Sequence, residues 1–571
     1  MKRLLGLLSL LSGLLLAQAN PLTAPAPPAE FHGVEAHSLY LPMHDGVRLA
    51  LQVLLPPSLP TDRRLPALLE ICRFGRVPQD GKLTGENQFW VEHGYVRVLV
   101  DERGTGASFG TSGYGPAEVG DLREIVAWIV RQPWSNGRVG AIGISIEGTA
   151  SELLAATGQP AVRAVAPWFS DYDYYTDIVR PGGVFDDWVV KNFGTFTAQM
   201  DAGASARRVE SDAGGSLLKQ AVAQHGSNLD LYASMRQAEF LDDPLDASGR
   251  SLRDISIPAV RGELARSRVP MLILASWFDA GTAQGALQRY HDFSNVQEIY
   301  IGPWSHGAGF DANPFSPGQA VQPSREQQWL QALAFFDHYL KGAPGPTAER
   351  RIHYFTMGEN RWHATAVWPP AGLSALVFHL DPDGSLAKKR AGSSRRVTLA
   401  VTFTGEANRW RTQFGGQAVD YSHALPGMLA LTSFTTAPLS RPLEITGQAV
   451  LRLRLACAAA DPSVLAYLVA VDPQGRAFAL TEGHLRLLDR KPDLSQPTLH
   501  SYRRGDAEPV PPGKEIEADF TLLPTSVLLP RGYRLRLLLA AGDSSTFATS
   551  GAYDATIFSA SAIELPARAR R

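Results

Sequence analysis

Cysteine is almost missing from this chain: its 571 residues include two, Cys72 and Cys457. Two thiols that far apart build no disulfide framework, and no clustered Cys/His spacing points to zinc. Two buried free thiols are the expectation. Net charge is equally scarce. With 54 Lys and Arg against 56 Asp and Glu the balance is −2, so no basic field argues for nucleic acid or an anionic membrane surface. Long apolar runs are confined to the start. Lys2 and Arg3 precede an apolar run at 4–16, and Ala17-Gln18-Ala19 follows. That is the pattern of a secretory signal peptide, and the run falls short of the ~20 residues a bilayer span needs. The expectations are a signal peptide at 1–19, a Pro/Ala-rich tether at 20–33, and a secreted or periplasmic protein without a membrane span. No cofactor and no metal are expected.

What is present centres on Gly143-Ile144-Ser145-Ile146-Glu147-Gly148. A short apolar run ends in Gly-x-Ser, and a helix-compatible run follows to Thr157, closed by Gly158 and Pro160. This predicts strand, sharp turn, helix, with the serine hydroxyl exposed above a sheet and the next N–H free for an oxyanion. The spacing Gly-x-Ser-x-x-Gly is one residue longer than the usual elbow. A Gly-rich strand end with a capping serine is the alternative that these residues alone leave open.

The apolar runs at 49–55, 65–71 and 96–100 read as strands of a buried sheet. Asp101-Glu102-Arg103-Gly104-Thr105-Gly106 is expected to be a structural turn rather than a phosphate loop, because no Lys-Ser/Thr follows it. Val119, Leu122, Ile125, Val126 and Ile129 recur at helical spacing. Strand, helix, strand, helix argues a doubly wound α/β sheet with its active site at the strands' carboxyl ends. The alternation stops at about 167–264, where aromatic and acidic residues crowd. An inserted helical cap is expected there, with helices near 185–200, 217–225 and 229–240. Asp171, Asp173 and Asp177 lack the pattern of a calcium loop and are expected to be solvated cap charges.

The sheet resumes at 271–275, ending in Trp277-Phe278-Asp279, and at 298–301, ending in Trp304-Ser305-His306. Ser145, Asp279 and His306 thus each follow a strand end, in the chain order of an α/β-hydrolase triad. Ser324-x-x-Gln327 predicts a capping box for the closing helix. From about 351 alternating strands predict a β-sandwich of the jelly-roll type. It could bind carbohydrate in galactose-binding fashion; a packing and substrate-shaping role is the expectation. The domain limits are 34–168 and 265–345 for the hydrolase sheet, 169–264 for the cap and 346–571 for the β-sandwich.

Four separated stretches resemble the bacterial cocaine-esterase/NonD hydrolases, within the Xaa-Pro dipeptidyl-peptidase-like serine hydrolases. They are Asp101 to Gly110, Gly143 to Gly148, Trp277-Phe278-Asp279 and Gly302-Pro303-Trp304-Ser305-His306. The resemblance implies an α/β-hydrolase with an inserted helical cap and a C-terminal jelly roll. It implies Ser145 as nucleophile, His306 as general base, Asp279 as its orienting partner, and the Ile146 N–H as one oxyanion donor. The family supplies a second donor from a tyrosine hydroxyl after an early strand. Here Phe74 stands at that place and cannot donate through its side chain, so Phe74→Tyr is expected to raise kcat. Relatives acting on amino-acid esters carry acidic residues after the triad aspartate, whereas Ala280, Gly281 and Thr282 follow Asp279. Neutral acyl chains are therefore expected, with Asp186 and Asp187 as the other possible source of charge. Trp168, Trp188, Phe193 and Trp277 are the expected substrate-pocket residues. The expected function is a secreted serine hydrolase of carboxylic esters or amides, acting on a small molecule or short peptide. The alternatives are an Xaa-Pro exopeptidase and a ligand- or glycan-binding protein on a hydrolase scaffold.

Overall fold

The computed structural model describes residues 26–77, 82–344, 349–390, 392–405, 408–411, 421–422, 427–493 and 500–570. The leader and residues 20–25 of the tether lie outside them. Ten strands form the first sheet. They are β1 (Glu35–Pro42), β2 (Arg48–Leu55), β3 (Leu65–Cys72), β4 (Val96–Asp101), β5 (Ser135–Ile144), β6 (Val162–Trp168), β7 (Met271–Ser276), β8 (Gln297–Gly302), β9 (Arg351–Thr356) and β10 (Arg361–Thr365). Their order is β1-β2-β4-β3-β5-β6-β7-β8-β9-β10. From β4 to β9 every neighbouring pair is parallel. All six residues of β4 and all six of β7 are buried. A strand covered by helices on both faces reads as a continuous apolar run, which is why these two were legible.

The helices are α1 (Gly85–Glu92), α2 (Val119–Ile129), α3 (Ile146–Ala156), α4 (Asp187–Asp201), α5 (Ser216–Gln224), α6 (Leu231–Gln237), α7 (Arg261–Ser267), α8 (Thr282–Asp292) and α9 (Arg325–Phe336). Burial of Leu122, Ile125, Val126 and Ile129 confirms the apolar stripe of α2. The Ser324–Gln327 capping box opens α9, with both reciprocal hydrogen bonds made. In the sheet, β4 lies on one side of β3 and β5 on the other. That reversal of strand order opens a crevice at the carboxyl ends, the usual ligand position in such sheets. Ser145 follows β5 directly at this crevice.

Helices α4, α5 and α6 stand between β6 and β7 as a cap. The Asp186 and Asp230 side chains cap α4 and α6 by accepting from Val189 N and Ala233 N. The loop after β3 ties cap to sheet. Arg73 pairs with Asp201 at 2.8 Å, and Arg76 donates to the carbonyls of Arg207 and Arg208. The turn at 101–106 is structural: Asp101 accepts from Arg76 N and Ala107 N, and Arg103 pairs with Asp121 and Asp45.

Two expectations are corrected. Strand β9 pairs with β8 and β10 pairs with β9, so the first sheet runs past residue 345 instead of ending there. Their short alternating patterns look the same whichever sheet they join. Of the aspartates of the early cap, Asp171 and Asp173 are half-buried and Asp177 is not solvated. Asp177 is 2% exposed and accepts from Tyr172 N and Asp173 N, so its carboxylate shapes the turn from within. After β10 the described residues build a β-rich domain of a thirteen-stranded sheet and a separate two-stranded one. Its strand Val450–Cys457 alternates buried and open positions, and Ser463–Val471 pairs with Ala477–Arg486 as a hairpin.

Candidate active site

The turn after β5 holds Ser145 at φ 65°, ψ −129°, a left-handed conformation that a residue with a Cβ rarely adopts. Its N–H donates to the Trp168 carbonyl at 2.9 Å, locking the turn to β6. Gly143 and Gly148 make the turn possible. A Cβ on Gly143 would meet the Glu147 carbonyl at 2.4 Å, and one on Gly148 the Trp168 carbonyl at 2.8 Å. The longer Gly-x-Ser-x-x-Gly spacing thus still serves one close approach of helix and strand. Ile146 is the first residue of α3, where a backbone N–H has no intrahelical partner and points out of the helix end.

Asp279 lies three residues beyond β7 and is fully buried. Its two carboxylate oxygens stand 3.0 and 2.9 Å from His306 Nδ1. The two loops are stitched together by Ser276, whose Oγ accepts from Trp304 N at 3.0 Å and donates to the Trp304 carbonyl. Phe169 packs edge-on against the imidazole, with ring centroids 6.4 Å apart. Burial works against the charged imidazole. The adjacent Asp279 charge and hydrogen bond outweigh it and hold the His306 pKa above its ordinary 6.5. A histidine fixed through Nδ1 leaves Nε2 as the atom that can accept a proton. Ser145 Oγ makes no hydrogen bond among the described residues, so its rotamer here does not meet Nε2. Such contacts often form only when substrate binds.

A cavity of about 60 Å³ lies at Ser145. Ile146, Tyr114, Asp171, Tyr174 and Phe193 border it, and aliphatic side chains of the cap complete its wall. Of the four expected pocket aromatics only Phe193 borders this cavity. Trp168 is buried beneath the sheet rim, and Trp277 is stacked on Trp368 with its Nε1 bonded to Phe355 O. Trp188 lies under the Arg411 guanidinium. Large aromatics near a strand end suggest a pocket, but strand alternation sends Trp168 to the core side. Phe74 does not border the cavity either; it packs on Phe193 and Phe196 of α4. Asp186 is fully buried as the cap of α4, and Asp187 accepts from Tyr232, so neither reaches the cavity. Asp171 was missed as a site residue. Nothing in its local sequence separates it from Asp173 and Asp177. Its buried Oδ1 meets no donor among the described residues, and burial followed by the Asp177 and Asp279 charges pushes its pKa up to about 8.

Ligand-type atoms of Glu70, Cys72 and Glu147 lie within 4.8 Å of one another. Glu70 is already paired with Arg97, and burial raises the pKa of both Cys72 and Glu147.

Residues 45–308 match the family model described as X-Pro dipeptidyl-peptidase (S15 family), and residues 345–554 match that of the X-Pro dipeptidyl-peptidase C-terminal non-catalytic domain. A protein of Mycobacterium bovis classed as a serine esterase is 34% identical over 581 residues, spanning 91% of this chain and 92% of its own length. The cocaine esterase of a Rhodococcus species is 25% identical over 548 residues, spanning 89% and 91%. Among solved structures, an α-amino acid ester hydrolase superposes with a TM-score of 0.73 at 19% identity, over 98% of this chain and all of that one. That likeness concerns the fold: an α/β-hydrolase sheet with a β-rich C-terminal domain.

Proposed function

This chain belongs to the X-Pro dipeptidyl-peptidase (S15) family of serine hydrolases, and we propose that it cleaves carboxylic esters or amides through an acyl-enzyme on Ser145. The observation that carries this reading is the buried Asp279–His306 pair on the same sheet rim as the strained Ser145 turn. A serine hydroxyl is a weak nucleophile and needs an adjacent base. Rotation about χ1 brings Ser145 Oγ toward His306 Nε2, which takes the hydroxyl proton as Oγ attacks the carbonyl carbon. Asp279 holds the imidazole tautomer and stabilises the imidazolium. The carbonyl oxygen, now negative, is met by the Ile146 N–H. His306 then returns the proton to the leaving group, and water repeats the cycle on the acyl-enzyme.

The substrate we infer is a small ester with a compact, largely neutral acyl group, because the cavity is small and mostly apolar. The apolar leader at 1–19 supports export of the protein. Labelling with a fluorophosphonate probe tests the reading. Wild type should label at one site and Ser145→Ala should not. A wild-type protein that neither labels nor turns over p-nitrophenyl esters would sink it. Parallel assays on Xaa-Pro anilides decide whether esters or dipeptidyl substrates are preferred.

A further inference from the structure

The loop after β3 carries Phe74, which has no side-chain donor and whose ring faces the cap helix α4. Another residue that carries a hydroxyl borders the cavity, from the β4 side of the sheet. Tyr114 borders the cavity together with Ser145 and Ile146. It is 5% exposed and sits in the loop after β4. Its backbone is strained, at φ 51°, ψ 136°, between Gly113 and Gly115. A non-glycine residue at positive φ costs on the order of 1–3 kcal/mol and persists only where its surroundings demand it. Gly115 shows how tight the demand is: a Cβ there would meet the Ile255 carbonyl at 2.2 Å.

The surroundings also fix the direction of the hydroxyl proton. Arg73 is 1% exposed and gripped by both oxygens of Asp201, at 2.8 and 3.1 Å. From that position its Nη2 donates to Tyr114 Oη at 2.9 Å. A guanidinium can only donate, so the tyrosine oxygen is the acceptor and its own proton must point elsewhere. No described residue accepts it.

The sheet order says what lies there. On the β5 rim, His306 and Asp279 come from the β7–β8 side, whereas Arg73 and Tyr114 come from the β3–β4 side. In attack by Ser145 the base lies on one side of the carbonyl and the oxyanion develops away from it. We propose that Tyr114 is the second oxyanion donor, its hydroxyl aimed at the developing charge by Arg73, in the place left empty by Phe74. When Ser145 Oγ bonds to the carbonyl carbon, the C=O π pair moves onto oxygen and the hydroxyl proton passes to His306. Tyr114 donates a hydrogen bond to that oxygen and transfers nothing. Arg73 acts as a positioning residue and does not touch substrate. Tyr174, also at the cavity, stands after β6 on the side of the base, which excludes it from this role.

The proposal rests on the serine-hydrolase reading, and the two fail differently. Wild type is first labelled with the fluorophosphonate and assayed on p-nitrophenyl esters; no labelling and no turnover overturns both. With an active wild type, Tyr114→Phe should lower kcat about 10²–10³-fold with KM within about threefold, the signature of a lost transition-state donor. Affinity for a trifluoromethyl ketone, whose tetrahedral adduct carries the oxyanion, should fall by a similar factor. Affinity for the product acid should not. A purely structural role would weaken both ligands or neither. A folded Tyr114→Phe enzyme with kcat within threefold of wild type overturns the proposal, and so does a loss that follows Tyr174→Phe instead.

Discussion

His306 Nδ1 sits between both carboxylate oxygens of Asp279, at 3.0 and 2.9 Å, on a carboxylate with no solvent exposure. The base is therefore oriented and its charged form stabilised. In the proposed mechanism His306 must be neutral to accept the serine proton, and its pKa is held above 6.5. Activity is then lost as pH falls through that raised value. The acid limb of kcat/KM against pH should have a midpoint above 6.5, and Asp279→Asn should cost on the order of 10⁴ in kcat. A midpoint at or below 6.5 would contradict the arrangement.

Ser145→Ala should leave the fold intact and cost on the order of 10⁶ in kcat. Residual turnover of more than a few per cent, in protein free of wild type, would remove Ser145 from its role.

Asp171 should cost stability at neutral and alkaline pH. Its folded pKa is pushed up to about 8 from an ordinary value of 3.8, chiefly by burial. Between those values the native carboxyl keeps its proton and the unfolded one has lost it. The native state binds more protons, so stability falls as pH rises across the window. Asp171→Asn removes that slope. Thermal melts should show the variant more stable than wild type by ~1–3 kcal/mol at alkaline pH, since a shift of one pKa unit is worth 1.36 kcal/mol before relaxation. The difference should vanish under acid conditions. A gap that is constant with pH would refute the assignment.

Aminoacyl esters should be no better substrates than their des-amino analogues. Asp186 and Asp187 are engaged elsewhere, and Asp171 is held neutral by its surroundings. Comparing kcat/KM on the two ester series checks this. A clear preference for the amine would mean that Asp171 ionises to meet it.

Phe74→Tyr, which on sequence grounds should raise kcat, is now expected to change it by less than threefold. The ring points to Phe193 and Phe196, and the place for a donor is taken by Tyr114. Steady-state kinetics decide: a tenfold gain in kcat would reinstate the sequence-based expectation.

Much of the framework was legible because its signals are local. The continuous apolar runs of β4 and β7 report burial on both faces. The capping box at Ser324 and Gln327 reports a helix start. The glycines around Ser145 report a turn that excludes side chains. The candidate site residues Ser145, Asp279 and His306 could be named because each comes within about four residues of the end of such a run. The C-terminal strands were legible as strands, but the partners of β9 and β10 were not, since period-two alternation carries no record of which sheet a strand joins.

What the sequence determined by itself is therefore what short-range sterics and periodicity impose: the strand ends, the elbow and the chemical types on the rim. The cavity wall was decided by the tertiary structure. Trp168 and Trp277 went to the core, Asp171 came to the nucleophile, and Tyr114 was brought beside Arg73, 41 positions away in the chain. Those outcomes depend on side-chain direction and on contacts between distant segments. Burial, loop closure and the pairing of buried charges set them together, and no single stretch of sequence carries that information.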